Sequence, residues 1–63
     1  MTMTNRDPVV QLDRHYRDKR GVVVHVIAYD RIKQEVTFMR PDYEHECMLP
    51  LWQVEKHFTR VDV

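Results

Sequence analysis

Val22-Val23-Val24-His25-Val26-Ile27 is followed by the charged interval Asp30-Arg31-Ile32-Lys33-Gln34-Glu35 and then by Val36-Thr37-Phe38-Met39. Pro41-Asp42 leads into Tyr43-Glu44-His45-Glu46-Cys47-Met48-Leu49. Val22, Val24 and Val26 alternate with Val23, His25 and Ile27, and turn formers separate these short β-branched and aromatic runs. A period of two places successive side chains on opposite faces of a strand, so the stretch reads as an antiparallel meander. It decides the fold but names no chemistry.

Upstream, Val10, Leu12, Arg14 and Tyr16 share one face of a first extended segment. Asp18-Lys19-Arg20-Gly21 reads as the turn that follows, with Gly21 free to take positive φ. The second strand is predicted over 22–29, the third over 35–40 and the fourth over 44–49. Pro41 presets φ for a tight turn between the third and fourth. After Pro50 the period changes: Leu51, Val54 and Phe58 recur at three and four residues, which predicts one or two helical turns over 51–57. Pro50 suits the first helical position, where its missing N–H costs nothing. Thr59-Arg60-Val61 returns as a short last strand.

The expected fold is mainly β: a small antiparallel curled sheet, an SH3-like, partly open barrel of four or five short strands with a short C-terminal helical turn. A flat three-stranded sheet with the helix packed on one face is the alternative. Residues 1–8 are expected to be a disordered N-terminus and 9–63 a single domain. The expected core joins Val24, Val26, Val36, Phe38 and Cys47 to Trp52 and Phe58.

Sixty-three residues allow one domain, and a chain this short buries only about 60% of its unfolded surface. No apolar run approaches the roughly 20 residues of a membrane span, and the first eight residues show no apolar signal region. One cysteine cannot form an internal disulfide, which fits a reducing cytoplasm. The ten basic and ten acidic side chains balance, against a general nucleic-acid binder. They are unevenly placed. Residues 13–20 hold Arg14, Arg17, Lys19 and Arg20 against two acids, while 42–46 hold three acids and neither Lys nor Arg.

The pattern Tyr16-Arg17-Asp18 before Gly21, then Val22-Val23-Val24, Tyr43-Glu44, Cys47, Pro50 and Phe58-Thr59-Arg60-Val61 has a likeness elsewhere. It resembles small enterobacterial proteins of phage or prophage origin that carry a domain of unknown function, over about residues 10–61. The resemblance implies a cytoplasmic accessory protein of a mobile element and brings no catalytic residue with it.

His45 and Cys47 lie on one side of the fourth strand, half of a zinc site, with His57 or His25 as candidates to complete it. There is no second spaced pair, and a cysteine in register with Tyr43 and Leu49 reads better as packing. No metal and no cofactor is therefore expected. A Cys47–His45 or Cys47–His57 nucleophile with Glu44 can be written down. Side chains at i and i+2 on a strand stand parallel, however, and do not present a base to a nucleophile. No catalytic residue is assigned, and the chain is expected not to be an enzyme.

Two binding readings remain. Arg14, Arg17, Lys19 and Arg20, interleaved with His15 and Tyr16, are the candidate nucleic-acid contacts. Met39 and Met48, outward on neighbouring strands, with Glu44 and Glu46, are the candidate protein contacts. Protein contact is preferred, with an unknown protein or a second copy as partner, and a regulator that touches nucleic acid through the basic hairpin is the alternative.

Overall fold

The computed structural model describes residues 8–61. Five strands and one helix follow in the order β1 (Val9–Arg17), β2 (Val23–Asp30), β3 (Glu35–Arg40), β4 (Tyr43–Pro50), α1 (Leu51–His57) and β5 (Thr59–Val61). All pairings are antiparallel, and the strands form one unclosed curled sheet in the order β4-β3-β2-β1-β5. β3, α1 and β5 have the bounds that the sequence predicts. The expected disorder at residues 1–8 lies outside the described residues except at Pro8, whose carbonyl accepts from the Arg31 N–H at 3.1 Å.

The alternation of β2 sets the two faces. Val24 and Val26 point inward and pair with Tyr16 and Arg14 on β1; Val26 also pairs with Phe38 on β3. Val24, Val26, Val36, Phe38 and Val54 form the buried core. Leu12, Tyr16, Tyr29, Cys47, Leu49, Leu51 and Phe58 pack around it half-buried. The register shifts between Val26 and Ala28, as at a β-bulge. That extra residue moves the inward phase of β2 from Val26 to Tyr29, which pairs with Val36.

The turns follow from local chemistry. Gly21 takes φ of 90°, which an L side chain resists, and its N–H bonds the Asp18 carbonyl at 3.0 Å. Asp30 Oδ1 accepts the N–H groups of Ile32 and Lys33 at 2.9 and 3.0 Å, shaping the turn before β3.

Pro50 ends β4, paired with Glu35, and stands as the N-cap of α1 rather than at its first helical position. Its ψ of 146° is extended, so the helix begins at Leu51, whose N–H bonds the Gln34 carbonyl at 2.8 Å. Of the predicted stripe, Val54 is buried, Leu51 and Phe58 are half-buried, and Phe58 caps the helix by bonding the Val54 carbonyl at 2.9 Å. Trp52 corrects the expected core. It is 59% exposed, because it follows Leu51 by one residue and so stands about 100° round the helix from the buried stripe.

Candidate functional site

Arg14 pairs with Val26 and Arg17 with Val23, which are on opposite faces of the sheet. Lys19 and Arg20 stand in the turn between β1 and β2. The four candidate nucleic-acid contacts thus do not share one face.

Acidic groups interrupt the basic tip. Asp18 Oδ1 accepts the backbone N–H groups of Arg20 and Val22, each at 2.9 Å. Its other oxygen lies 3.6 Å from the Arg40 guanidinium and 4.0 Å from that of Arg20. Arg40 in turn lies over the Phe38 ring, 5.5 Å from its centroid, and so ties the core to the hairpin tip. Asp42 and Tyr43 line the same surface hollow as Arg20 and Arg40.

The Val22 N–H, with further help from the Arg20 N–H and both guanidinium groups, holds the Asp18 carboxyl below its ordinary value of 3.8. A depressed folded-state pKa adds stability that is fully present above the unfolded value and is lost as pH falls through the folded one. Asp18→Ala is therefore expected to lower the melting temperature at neutral pH. The gap to wild type should shrink below about pH 3.8 as the wild-type carboxylate protonates. Thermal melts of both proteins from pH 7 to pH 2 check this; a gap that is constant or grows in acid contradicts it.

The candidate protein contacts gather around one edge. Met39 pairs with His25 and Met48 with Thr37, which places both methionines on the face opposite the core. Met48 is exposed and Met39 half-buried. Among the described residues, β4 has β3 on one side and no strand on the other. Glu44 and Glu46 are exposed on it, as are Tyr43 and, in α1, Trp52.

The residues of the half zinc site do not converge. Cys47 is half-buried against the core, its Sγ 3.8 Å from the His45 carbonyl. His45 is exposed, its ring edge-on to Tyr43 with centroids 5.3 Å apart. Among the described residues, the cluster of three metal-ligating side chains is a different one: Asp13, His15 and His25. Sequence reading missed it, although the signal was present. A turn centred on residues 19–21 pairs His15 with His25, and alternation puts Asp13 on their face.

Between the sheet and α1 lies an apolar cleft of about 220 Å³, lined by residues that include Leu12, Tyr16, Tyr29, Leu51, Val54 and Glu55. Ligand pockets usually hold roughly 300–1,000 Å³. Neither a histidine nor Cys47 lines this one.

The model of a domain of unknown function, DUF4222, matches residues 12–62, which is most of the chain. The chain belongs to the DUF4222 family. The match begins at Leu12, three residues into β1, and takes in every later element, so the DUF4222 domain covers nearly all of the curled sheet and its helix. No curated protein and no solved structure matches this DUF4222 chain. No helix among the described residues is long and apolar enough to cross a membrane.

Proposed function

We propose that this DUF4222 chain is a non-enzymatic binding module, an accessory protein of phage or prophage origin in an enterobacterial cytoplasm, acting through protein contact. The observation that carries the reading is the β4–α1 edge. An unpaired strand edge offers backbone donors and acceptors to another chain, and here Tyr43, Met48 and Trp52 are exposed on or beside it. The sheet order with a short helix before β5 supports the SH3-like comparison, a barrel left open at β4 and β5.

The charge of the edge selects its partner. Asp42, Glu44 and Glu46 favour an extended segment carrying Lys or Arg. Antiparallel pairing of β4 with β4 of a second copy would set these carboxylates near one another, and like charges across strands are destabilising. A basic segment of a different protein is the better fit.

The alternative, nucleic acid on the basic hairpin, has less support because the four basic residues are split between faces and mixed with Asp18 and Asp42. Titration with duplex and single-stranded DNA at physiological salt separates the readings. Weak binding is expected. Sub-micromolar binding that is abolished by Arg17→Ala, Lys19→Ala and Arg20→Ala together, with the salt slope falling by about one per lost phosphate contact, would overturn the protein reading.

A further inference from the structure

We propose that Asp13, His15 and His25 form a surface site for a divalent transition-metal ion, with zinc as the reference ion. The site sits on the sheet face opposite the core and spans β1 and β2. His15 and His25 are direct cross-strand partners, and their rings stack with centroids 4.8 Å apart and planes within 10°. The Asp13 carboxylate reaches across to the same pair, its Oδ1 2.6 Å from His25 Nε2. One ligand atom from each of the three side chains lies within 4.8 Å of the other two.

The geometry is close to what an ion needs. A tetrahedral ion with bonds of about 2.0–2.2 Å holds its ligand atoms roughly 3.3–3.6 Å apart. The widest separation must therefore close by roughly 1.2–1.5 Å, and the Asp13–His25 contact must open by roughly 0.7–1.0 Å. Solvent borders the side chains, with Asp13 84% and His25 43% exposed, which leaves room for the stacked rings to tilt until their in-plane lone pairs converge on one ion. The register shift between Gln11 and Arg14 lies at this point of β1. Such bulges commonly re-aim side chains next to sites.

The donor set selects the ion class. Two imidazoles and a carboxylate suit zinc, nickel or copper, whereas calcium and magnesium prefer all-oxygen sets. Cys47, the chain's one thiol, pairs with Phe38 on the other face and stays out of the site. Three protein ligands leave a fourth position, which opens away from the core to water or to a group from a partner. The ion adds to a sheet already held by its apolar core, so the metal-free protein stays folded.

The test is calorimetric titration of zinc into the untagged full chain after chelator treatment and dialysis. One ion per chain is expected at about micromolar affinity. At about a hundredfold excess over Kd, the melting temperature should rise by roughly 10–20 °C. His15→Ala and His25→Ala should each weaken binding at least about tenfold, the loss already typical of removing an outer-sphere partner. His45→Ala and His57→Ala should bind as wild type does. On the wild type, zinc should shift the ring resonances of His15 and His25 and leave those of His45 and His57 in place, a readout independent of how any variant folds. No saturable binding, binding that survives the double variant His15→Ala/His25→Ala, or resonance shifts confined to His45 and His57 would each overturn the proposal.

Discussion

Phe38→Ala is expected to cost roughly 3–5 kcal/mol, the largest loss available from one truncation in this chain. Phe38 is only 2% exposed and sits at the centre of the core. Its ring meets Phe58 at 5.8 Å, tilted by 59°, and carries the Arg40 guanidinium on one face. Truncation removes a ring contact that adds to the β1–β5 pairing in tying the segment after α1 to the sheet, and it removes the surface on which Arg40 rests on its way to Asp18. Small domains have about 5–15 kcal/mol in total, and a chain of this size falls at the low end. At roughly 4–8 °C per kcal/mol, the melting temperature should fall by more than about 12 °C, or the protein should not fold. Thermal denaturation followed by circular dichroism decides it, and a variant that melts like wild type would refute the register of β3.

The second large effect is expected at Val54, the one buried residue of α1. Val54→Asp puts a carboxylate into a core whose other buried members, Val24, Val26, Val36 and Phe38, are all apolar. An unpaired buried charge costs several kcal/mol or is neutralised at a similar cost. The helix should detach and the sheet lose its cover, read as exposure of apolar surface to a reporter dye and loss of the cooperative transition. Trp52→Ala, two positions away, is the contrast: an exposed side chain should change stability by no more than about 0.5 kcal/mol. If Trp52→Ala destabilises as much as Val54→Asp, the helix faces the sheet with a different stripe.

These two helix positions show where the sequence was legible. Leu51, Val54 and Phe58 repeat at helical spacing, and that spacing alone selects the covering face. Trp52 misleads when judged by size, since a large aromatic looks like core material, whereas its place beside the stripe puts it outside. The strands were legible for the same reason: β3 and β2 as far as Val26 alternate, and Pro41 and Gly21 punctuate them. The register shift after Val26 was not legible. Ile27 and Ala28 continue an apolar run in which no glycine or proline marks an extra residue, and only pairing with Thr37 and Phe38 reveals it.

Site residues were read unevenly because a site is made by pairing, which the sequence states only indirectly. His45 and Cys47 are only two positions apart in sequence, yet one faces solvent and the other the core rim. His15 and His25 are ten residues apart and become stacked neighbours only once the Asp18–Gly21 turn closes. The basic hairpin looked like one patch because four cations fall within seven residues, but strand alternation divides Arg14 from Arg17.

Protein contact through the β4–α1 edge is tested most directly by capture. Wild type and Trp52→Ala are immobilised and exposed to bacterial lysate, each with and without nuclease. An exposed tryptophan that anchors an interface carries at least about 2 kcal/mol, or roughly thirtyfold in affinity. The expected result is a protein retained by wild type, indifferent to nuclease and lost with Trp52→Ala. Retention that Trp52→Ala leaves intact and nuclease abolishes would contradict it and place the working surface on the basic hairpin.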